Sequence, residues 1–257
     1  MTTRLVADTV ALTGRSLRHV TRSPDTLITT AVMPIAIMLL FVHVLGGAID
    51  TGPQPGSGSY VDYLLPGILL MTVATGVSYT AHRLFGDLRG GVLDRFRSLP
   101  VARSAVLWAH VLTSLVANLV SVAVVVAVAF ATGFRTGAGL PAVLAVAGVL
   151  TLFVLALTWV AVVAGLSATS VEGATAFSYP LVLLPFVSSA FVPTASMPGP
   201  VRWFAEHQPV TPVVDTIRDL LAGRPASGDL WVALAWCVGV LVVACATATA
   251  AYRRRGA

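Results

Sequence analysis

Six long apolar stretches, separated by shorter polar ones, make up most of the 257-residue chain. They run over about Thr26–Gly46, Val61–His82, Ala105–Thr132, Pro141–Leu166, Ala174–Val192 and Leu230–Ala251. An α-helix needs about 20 apolar residues to cross about 30 Å of hydrocarbon, and each stretch is close to that length. The pattern predicts an all-α integral membrane protein with six transmembrane helices. The third stretch holds 28 residues without a formal charge. As a helix it would be about 42 Å long, so it should tilt or project beyond the hydrocarbon. Pro34 and Pro66 lie inside the first two stretches, and Pro180 and Pro185 break the fifth.

The polar interruptions differ in character. At the N-terminus, Val6, Val10, Leu17 and Val20 fall on one helical face and Arg4, Arg15, Arg18 and Arg22 on the opposite one. That spacing suits an amphipathic helix lying in the membrane plane, although an arm that only fixes topology would carry the same charges. The charged region is too long and mixed for a signal peptide, and no A-x-A site follows the next apolar run. The chain divides as one domain: an interfacial segment over 1–25, a bundle over 26–251 and a basic tail over 252–257. Gly47–Ser59 is a Gly/Pro-rich loop without arginine. Pro193–Asp229 contains two helical patterns. One is Val201–Glu206, with the interface-favouring Trp203 and Phe204; the other is capped by Thr211, opened by Pro212 and stopped by Gly223. In the second, Val213, Val214, Ile217, Leu220 and Leu221 form the apolar stripe, with Asp215, Arg218 and Asp219 off it. These are expected as short helices against the outer leaflet.

The most informative interruption is Arg83–Arg103, RLFGDLRGGVLDRFRSLPVAR. It contains five of the sixteen arginines together with an apolar stripe of Leu84, Leu88, Val92, Phe96 and Leu99 at helical spacing. Gly90-Gly91 interrupts that helix and Pro100 ends it. A loop that only retained charge would need neither the stripe nor the punctuation, so the stretch is expected to dock on a partner.

Composition then fixes the class. Hydrophobic residues make up 56% of the chain, charged residues 11%, and the mean hydropathy is +0.87. The net charge of +5 comes from arginine alone, since lysine is absent, and in such a chain it reports orientation and headgroup contact, not nucleic-acid binding. With the N-terminus inside, twelve arginines lie in inner segments and four in outer ones. The positive-inside rule therefore places both termini and Arg83–Arg103 in the cytoplasm.

Several chemistries are excluded. Without lysine there is no Walker A loop, so the chain carries no such ATPase site. Neither G-x-S-x-G nor H-E-x-x-H occurs, and no catalytic residue or metal site is expected. Cys237 and Cys245 share one apolar stretch and suit packing. Asp, Glu and Arg are missing from the middle of the spans, which argues against an ion-coupled carrier. His43, His82 and His110 sit near span ends, where structural or interfacial roles fit better than a proton relay. What the spans do hold is small uncharged polar residues. Asn118, Ser121 and Ser188 are the candidates for a translocation path, and Asn118 serves equally well as helix–helix glue.

Two motifs add a resemblance. Asp94-Arg95-Phe96-Arg97-Ser98-Leu99-Pro100-Val101 with Arg103 looks like the cytoplasmic coupling segment of type-2 ATP-binding-cassette (ABC) exporters. Phe191-Val192-Pro193, Met197-Pro198, Gln208-Pro209-Val210-Thr211-Pro212, Arg218 and Gly223 are similar to that family's pattern around its outer helices. The daunorubicin-resistance-like drug-efflux branch is the nearest in character. The family often shows a Gly and a basic residue about seven positions after the arginine, where this chain has Trp108-Ala109-His110. The resemblance implies a membrane subunit without its own cofactor, paired with a second permease copy or paralogue. ATP and magnesium would be held on a separate cytoplasmic ABC ATPase. It assigns ATPase coupling to Leu88, Val92, Arg95, Phe96, Arg97, Leu99 and Arg103. A non-transporting membrane scaffold, a stand-alone carrier and an exporter of glycans or lipids are the alternatives that composition leaves open.

Overall fold

The computed structural model describes residues 9, 13–14, 24–45, 60–90, 103–225 and 228–255. The N-terminal amphipathic pattern, the Gly47–Ser59 loop and the central part of the docking stretch lie outside these residues. Every regular element described is helical, as the pattern predicted.

Helix α1 spans Pro24–Leu40 and continues as a wider π-type turn over Phe41–Leu45. Helices α2 (Tyr60–Arg89), α3 (Arg103–Ala131) and α4 (Leu140–Ser167) follow. The fifth segment is three pieces: α5 (Val171–Ala176), α6 (Ser178–Leu183) and a 3-10 turn over Leu184–Val187. Two short helices, α7 (Gly199–His207) and α8 (Val210–Leu221), precede α9 (Asp229–Arg255). Among the described residues, four helices are each long and apolar enough to cross a membrane: α2, α3 from Leu107, α4, and α9 up to Tyr252. Thr30–Val44 and Val171–Val187 are shorter apolar helical segments.

The fifth stretch is the clearest departure from the sequence pattern, which suggested one span to Val192. Helical structure stops at Val187 because Pro180 and Pro185 cannot donate to the ladder and the chain turns at Ser188. There the Ser188 hydroxyl donates to the Pro185 carbonyl at 2.7 Å and accepts from the Ala190 amide at 3.1 Å. A second correction concerns α8. It begins at Val210, not after Thr211, and the Thr211 hydroxyl donates to the Ala205 carbonyl at 2.5 Å, joining α7 to α8. Gln208 supplies the start instead, its amide oxygen accepting from the Val210 backbone at 3.0 Å. The predicted stop holds. Gly223 has φ +71, which favours glycine, and a Cβ there would lie 2.9 Å from the Gly137 carbonyl oxygen.

Helix α2 is the centre of the bundle. Between Val61 and Ala74 only Asp62 is not buried, and the helix packs against α1, α3, α4, α5, α6 and α8. Small residues allow the closest approaches. A Cβ on Gly67 would meet Ala190 at 2.5 Å, and one on Gly165 of α4 would meet the Ala81 carbonyl at 2.9 Å. Helix α4 is apolar all round: it packs against α2 and α9, and exposed positions such as Val143 and Leu144 are apolar too, as a membrane-spanning helix requires.

Two sets of contacts show which loops share an end of the bundle. At one end, the Arg135 amide donates to Asp62, and the Thr136 hydroxyl donates to the Leu221 carbonyl at 2.7 Å. At the other, Arg89 donates to the Thr169 carbonyl, and Leu84, Leu107, Leu166 and Ala248 share one apolar cluster. The beginning of α3, the end of α2, the α4–α5 turn and the end of α9 therefore lie together, as the arginine count requires.

Candidate functional site

Two features of this bundle bear on function: the end where α2 and α3 flank the docking stretch, and a buried polar seam below it. At that end α2 runs on to Arg89, and Gly90 closes it, its backbone N–H donating to the Gly86 carbonyl at 2.8 Å. Leu84 is fully buried and Leu88 packs against the same apolar cluster, so both sit within the bundle. Val92, Arg95, Phe96, Arg97 and Leu99 lie outside the described residues, and Arg103 is where α3 begins. Across the gap, His110 of α3 pairs with Asp87 of α2, Nε2 to Oδ2 at 3.2 Å, with the imidazole only 7% exposed. A structural role was expected for that histidine near a span end, but not its partner. Its partner lies 23 positions earlier in the chain, and only the antiparallel packing of α2 on α3 brings the two together.

One turn further along α3 the seam begins. The Thr80 hydroxyl of α2 donates to Ser114 Oγ at 2.6 Å, and Ser114 Oγ lies 3.3 Å from Thr158 Oγ1 of α4. Asn118 Nδ2 donates to the Ser114 carbonyl at 2.9 Å and to its hydroxyl at 3.2 Å. Ser121 shares a hydrogen bond with Thr30 of α1 at 3.2 Å. Four helices are thus joined by uncharged hydrogen bonds where water is scarce, the arrangement expected of polar glue between spans. Asn118 Oδ1 is the exception: it is buried, has no partner, and rests against Gly76 of α2. Asn118 and Ser121 therefore share one seam, while Ser188 is at the break of the fifth segment.

At the opposite end a partly buried ionic junction ties α8 to α2 and to the turn after the fifth segment. Arg218 of α8 donates from Nη1 to Asp215 at 2.5 Å and from Nη2 to the Ser189 carbonyl at 2.7 Å. Its guanidinium stands 4.0 Å from the Tyr63 ring centroid, a cation–π contact. The Tyr63 hydroxyl donates to the same Ser189 carbonyl at 2.9 Å, and Ser189 Oγ donates to Asp215 at 2.7 Å. Burial pushes the Asp215 carboxyl above the ordinary carboxylate range, opposed by the Arg218 charge and the Ser189 hydroxyl. The helical wheel placed Asp215 and Arg218 off the apolar stripe; the structure turns them onto α2 and the Ser188–Val192 turn. Trp203 and Phe204 of α7 are exposed.

No group of three or more His, Cys, Asp or Glu among the described residues could hold a metal ion. The functional elements are instead a helical bundle, a polar seam, a clamp around Arg218 at one end and, at the other, two helix ends that flank an arginine-rich segment in the chain. That set defines an α-helical, multi-pass membrane protein. Residues 7–222 match the model of the ABC-2 type transporter family, and the chain belongs to that family. It is 27% identical over 256 residues to a protein of Streptomyces coeruleorubidus named "Daunorubicin resistance ABC transporter permease protein DrrB1", covering 98% of this chain and 88% of the relative. It is 30% identical over 252 residues to a Mycobacterium tuberculosis protein named "Probable doxorubicin resistance ABC transporter permease protein DrrC", covering 97% of this chain and 89% of the relative.

Proposed function

We propose that this chain is the membrane-spanning subunit of an ATP-driven exporter that moves a hydrophobic or amphipathic compound, of the drug, antibiotic or lipid-like kind, out of the cell. The observation that carries this reading is the near-full-length similarity to permeases named for anthracycline resistance, in a chain whose bundle holds its polar groups as an uncharged seam. Six crossings with both termini in the cytoplasm fit the arginine distribution. ATP and magnesium belong to a separate ATPase, because this chain has no lysine with which to build a Walker A loop. Two permease copies, or this chain and a paralogue, would pair with two ATPases and enclose the cargo route.

In this reading ATP-driven movement of the partner enters through Arg83–Arg103. Phe96 and Leu99 are the apolar anchors, with Arg95 and Arg97 at the rim and Arg103 at the start of α3. The end of α2 and the beginning of α3 receive that movement together, since Asp87 and His110 join them. The seam of Thr80, Ser114, Asn118 and Thr158 then lies one to two turns deeper, where the relative tilt of α2, α3 and α4 would be set.

Substituting an anchor tests the reading. Truncating a buried interface anchor typically costs about 2 kcal/mol or more, against under about 1 kcal/mol for an exposed rim charge. Phe96→Ala should remain in the membrane, lose ATPase pull-down and abolish efflux, while Arg97→Ala should be mild and more harmful at low salt. Normal efflux by Phe96→Ala at normal abundance would refute the coupling assignment.

A further inference from the structure

A groove of about 800 Å³ runs along the membrane face between α3, α4 and the last half of α9. Its walls are apolar, and two of them are aromatic: Trp108 and Trp159 meet edge to face with ring centroids 5.4 Å apart. Leu241 and Cys245 continue the wall along α9. Thr249 also lines it, but its hydroxyl donates to the Cys245 carbonyl at 2.7 Å and so is satisfied by its own helix. At the mouth stands Arg254, exposed and without an ion pair or hydrogen bond among the described residues. Arg253 and Arg255 flank it in the chain.

The dimensions match one leaflet. From Arg254 to Leu241 is thirteen residues of α9, about 20 Å of helix at 1.5 Å per residue. Half of the hydrocarbon core is about 15 Å, so the groove reaches from the headgroup level to near the midplane. Trp108 is 40% exposed beside the mouth, a residue type favoured at that level. A long apolar slot with one unpaired guanidinium at the interfacial end is complementary to an acyl chain joined to an anionic phosphate. A free anion would leave the slot unused, and an apolar helix from a second copy would leave Arg254 unpaired.

We propose that this groove is a binding site for an anionic phospholipid of the leaflet on the Arg89–Arg254 side, its phosphate on Arg254 and one acyl chain along Trp108, Trp159 and Leu241. Identifying that leaflet as the cytoplasmic one rests on the orientation proposed above; the site itself does not. The guanidinium forms a charge-assisted hydrogen bond with the phosphate, and the tail replaces bulk lipid against the two tryptophans.

The test uses the purified full chain in detergent, titrated with phosphatidylglycerol or phosphatidylcholine carrying brominated acyl chains, with tryptophan quenching as the signal. Phosphatidylglycerol should quench saturably and bind about fivefold more tightly than phosphatidylcholine, whose phosphate also reaches Arg254 but whose choline cation cancels the net charge, worth about 1 kcal/mol per arginine. Arg254→Gln should remove that preference, and Ala246→Trp, which fills the slot, should abolish retention of phosphatidylglycerol, read by native mass spectrometry because the variant adds a tryptophan, while the melting temperature stays unchanged. Trp108→Phe should lower the quenching amplitude without changing the affinity ratio. Three results would overturn the proposal. One is equal binding of both lipids. Another is full competition by inorganic phosphate, which would mean a tail-independent anion site. The third is a change of oligomeric mass in Ala246→Trp, which would mean that a second copy covers the groove. None of these readouts depends on transport, so a failed lipid site and a failed exporter assignment are separable.

Discussion

Gly76→Ala on α2 probes the seam most sharply, because the structure fixes both the clash and its remedy. A Cβ at Gly76 would lie 2.1 Å from Asn118 Oδ1, 2.9 Å from Cγ and 3.2 Å from Nδ2. Asn118 is 2% exposed, so its amide has no open space to enter. Moving it away sacrifices its bonds to the Ser114 carbonyl and hydroxyl. Overpacking of this kind costs about 1–3 kcal/mol, and the two lost bonds, both within α3, each contribute near the lower end of about 0.5–1.5 kcal/mol net. The helix-propensity gain of alanine over glycine offsets up to about 1 kcal/mol. The net expectation is a loss of about 1–3 kcal/mol. Asn118→Ala alone should be nearly neutral, since it removes those bonds but also an unpartnered buried carbonyl, whose burial costs about 1–3 kcal/mol. The double variant loses the clash, so the pair should show a coupling energy of about 1.5–2 kcal/mol in a double-mutant cycle. Reversible unfolding in mixed micelles, followed by circular dichroism, measures all four states. Additive effects within about 0.5 kcal/mol would refute the packing argument, and with it the seam as a fixed contact between α2 and α3.

Further expectations concern the Arg218 clamp and the topology. Arg218→Met removes the donor to the Ser189 and Tyr63 carbonyls and leaves Asp215 unpaired, so it should cost about 2–4 kcal/mol in the same assay. Burial raises the Asp215 pKa in the folded state, so the group binds its proton more tightly folded than unfolded. Its contribution is full below the ordinary carboxylate range and is lost as pH rises through the raised value. Wild type should therefore gain stability relative to Asp215→Asn on acidification from about pH 7 to about pH 4, and a loss would contradict the direction. In a Cys237/Cys245-free background, cysteines at Ser57 and Ser98 should label from opposite sides of intact cells; labelling of both, or neither, from outside would refute the six-span topology.

Much of this architecture was legible because a membrane span writes itself as length and hydropathy, and because Gly and Pro act locally. Gly90, Gly223 and Pro180 each mark a boundary that the structure reproduces within a few residues. The misplaced start of α8 has a local cause of another kind. Thr211 is a good N-cap residue, but its hydroxyl found the Ala205 carbonyl, and Gln208 took over the start. What could not be read were the long-range pairs. Asp87 with His110, Arg218 with Tyr63 and Ser189, and Asn118 against Gly76 depend on helix register across the bundle, which no single-helix periodicity encodes. Leu84 and Leu88 illustrate the converse: their helical spacing with Phe96 and Leu99 is real, yet α2 continues through them and buries Leu84 in its own core.

The central claim is that this chain provides a path and a separate subunit provides the ATP hydrolysis. Its most direct test is reconstitution into sealed proteoliposomes of the chain alone, its cytoplasmic ATPase alone, and the two together, with ATP hydrolysis and daunorubicin movement measured in each. We predict no hydrolysis by the chain alone, and drug movement that requires the chain, the ATPase and ATP at once. Hydrolysis by the isolated chain, or movement that is independent of ATP and of the second subunit, would contradict the account.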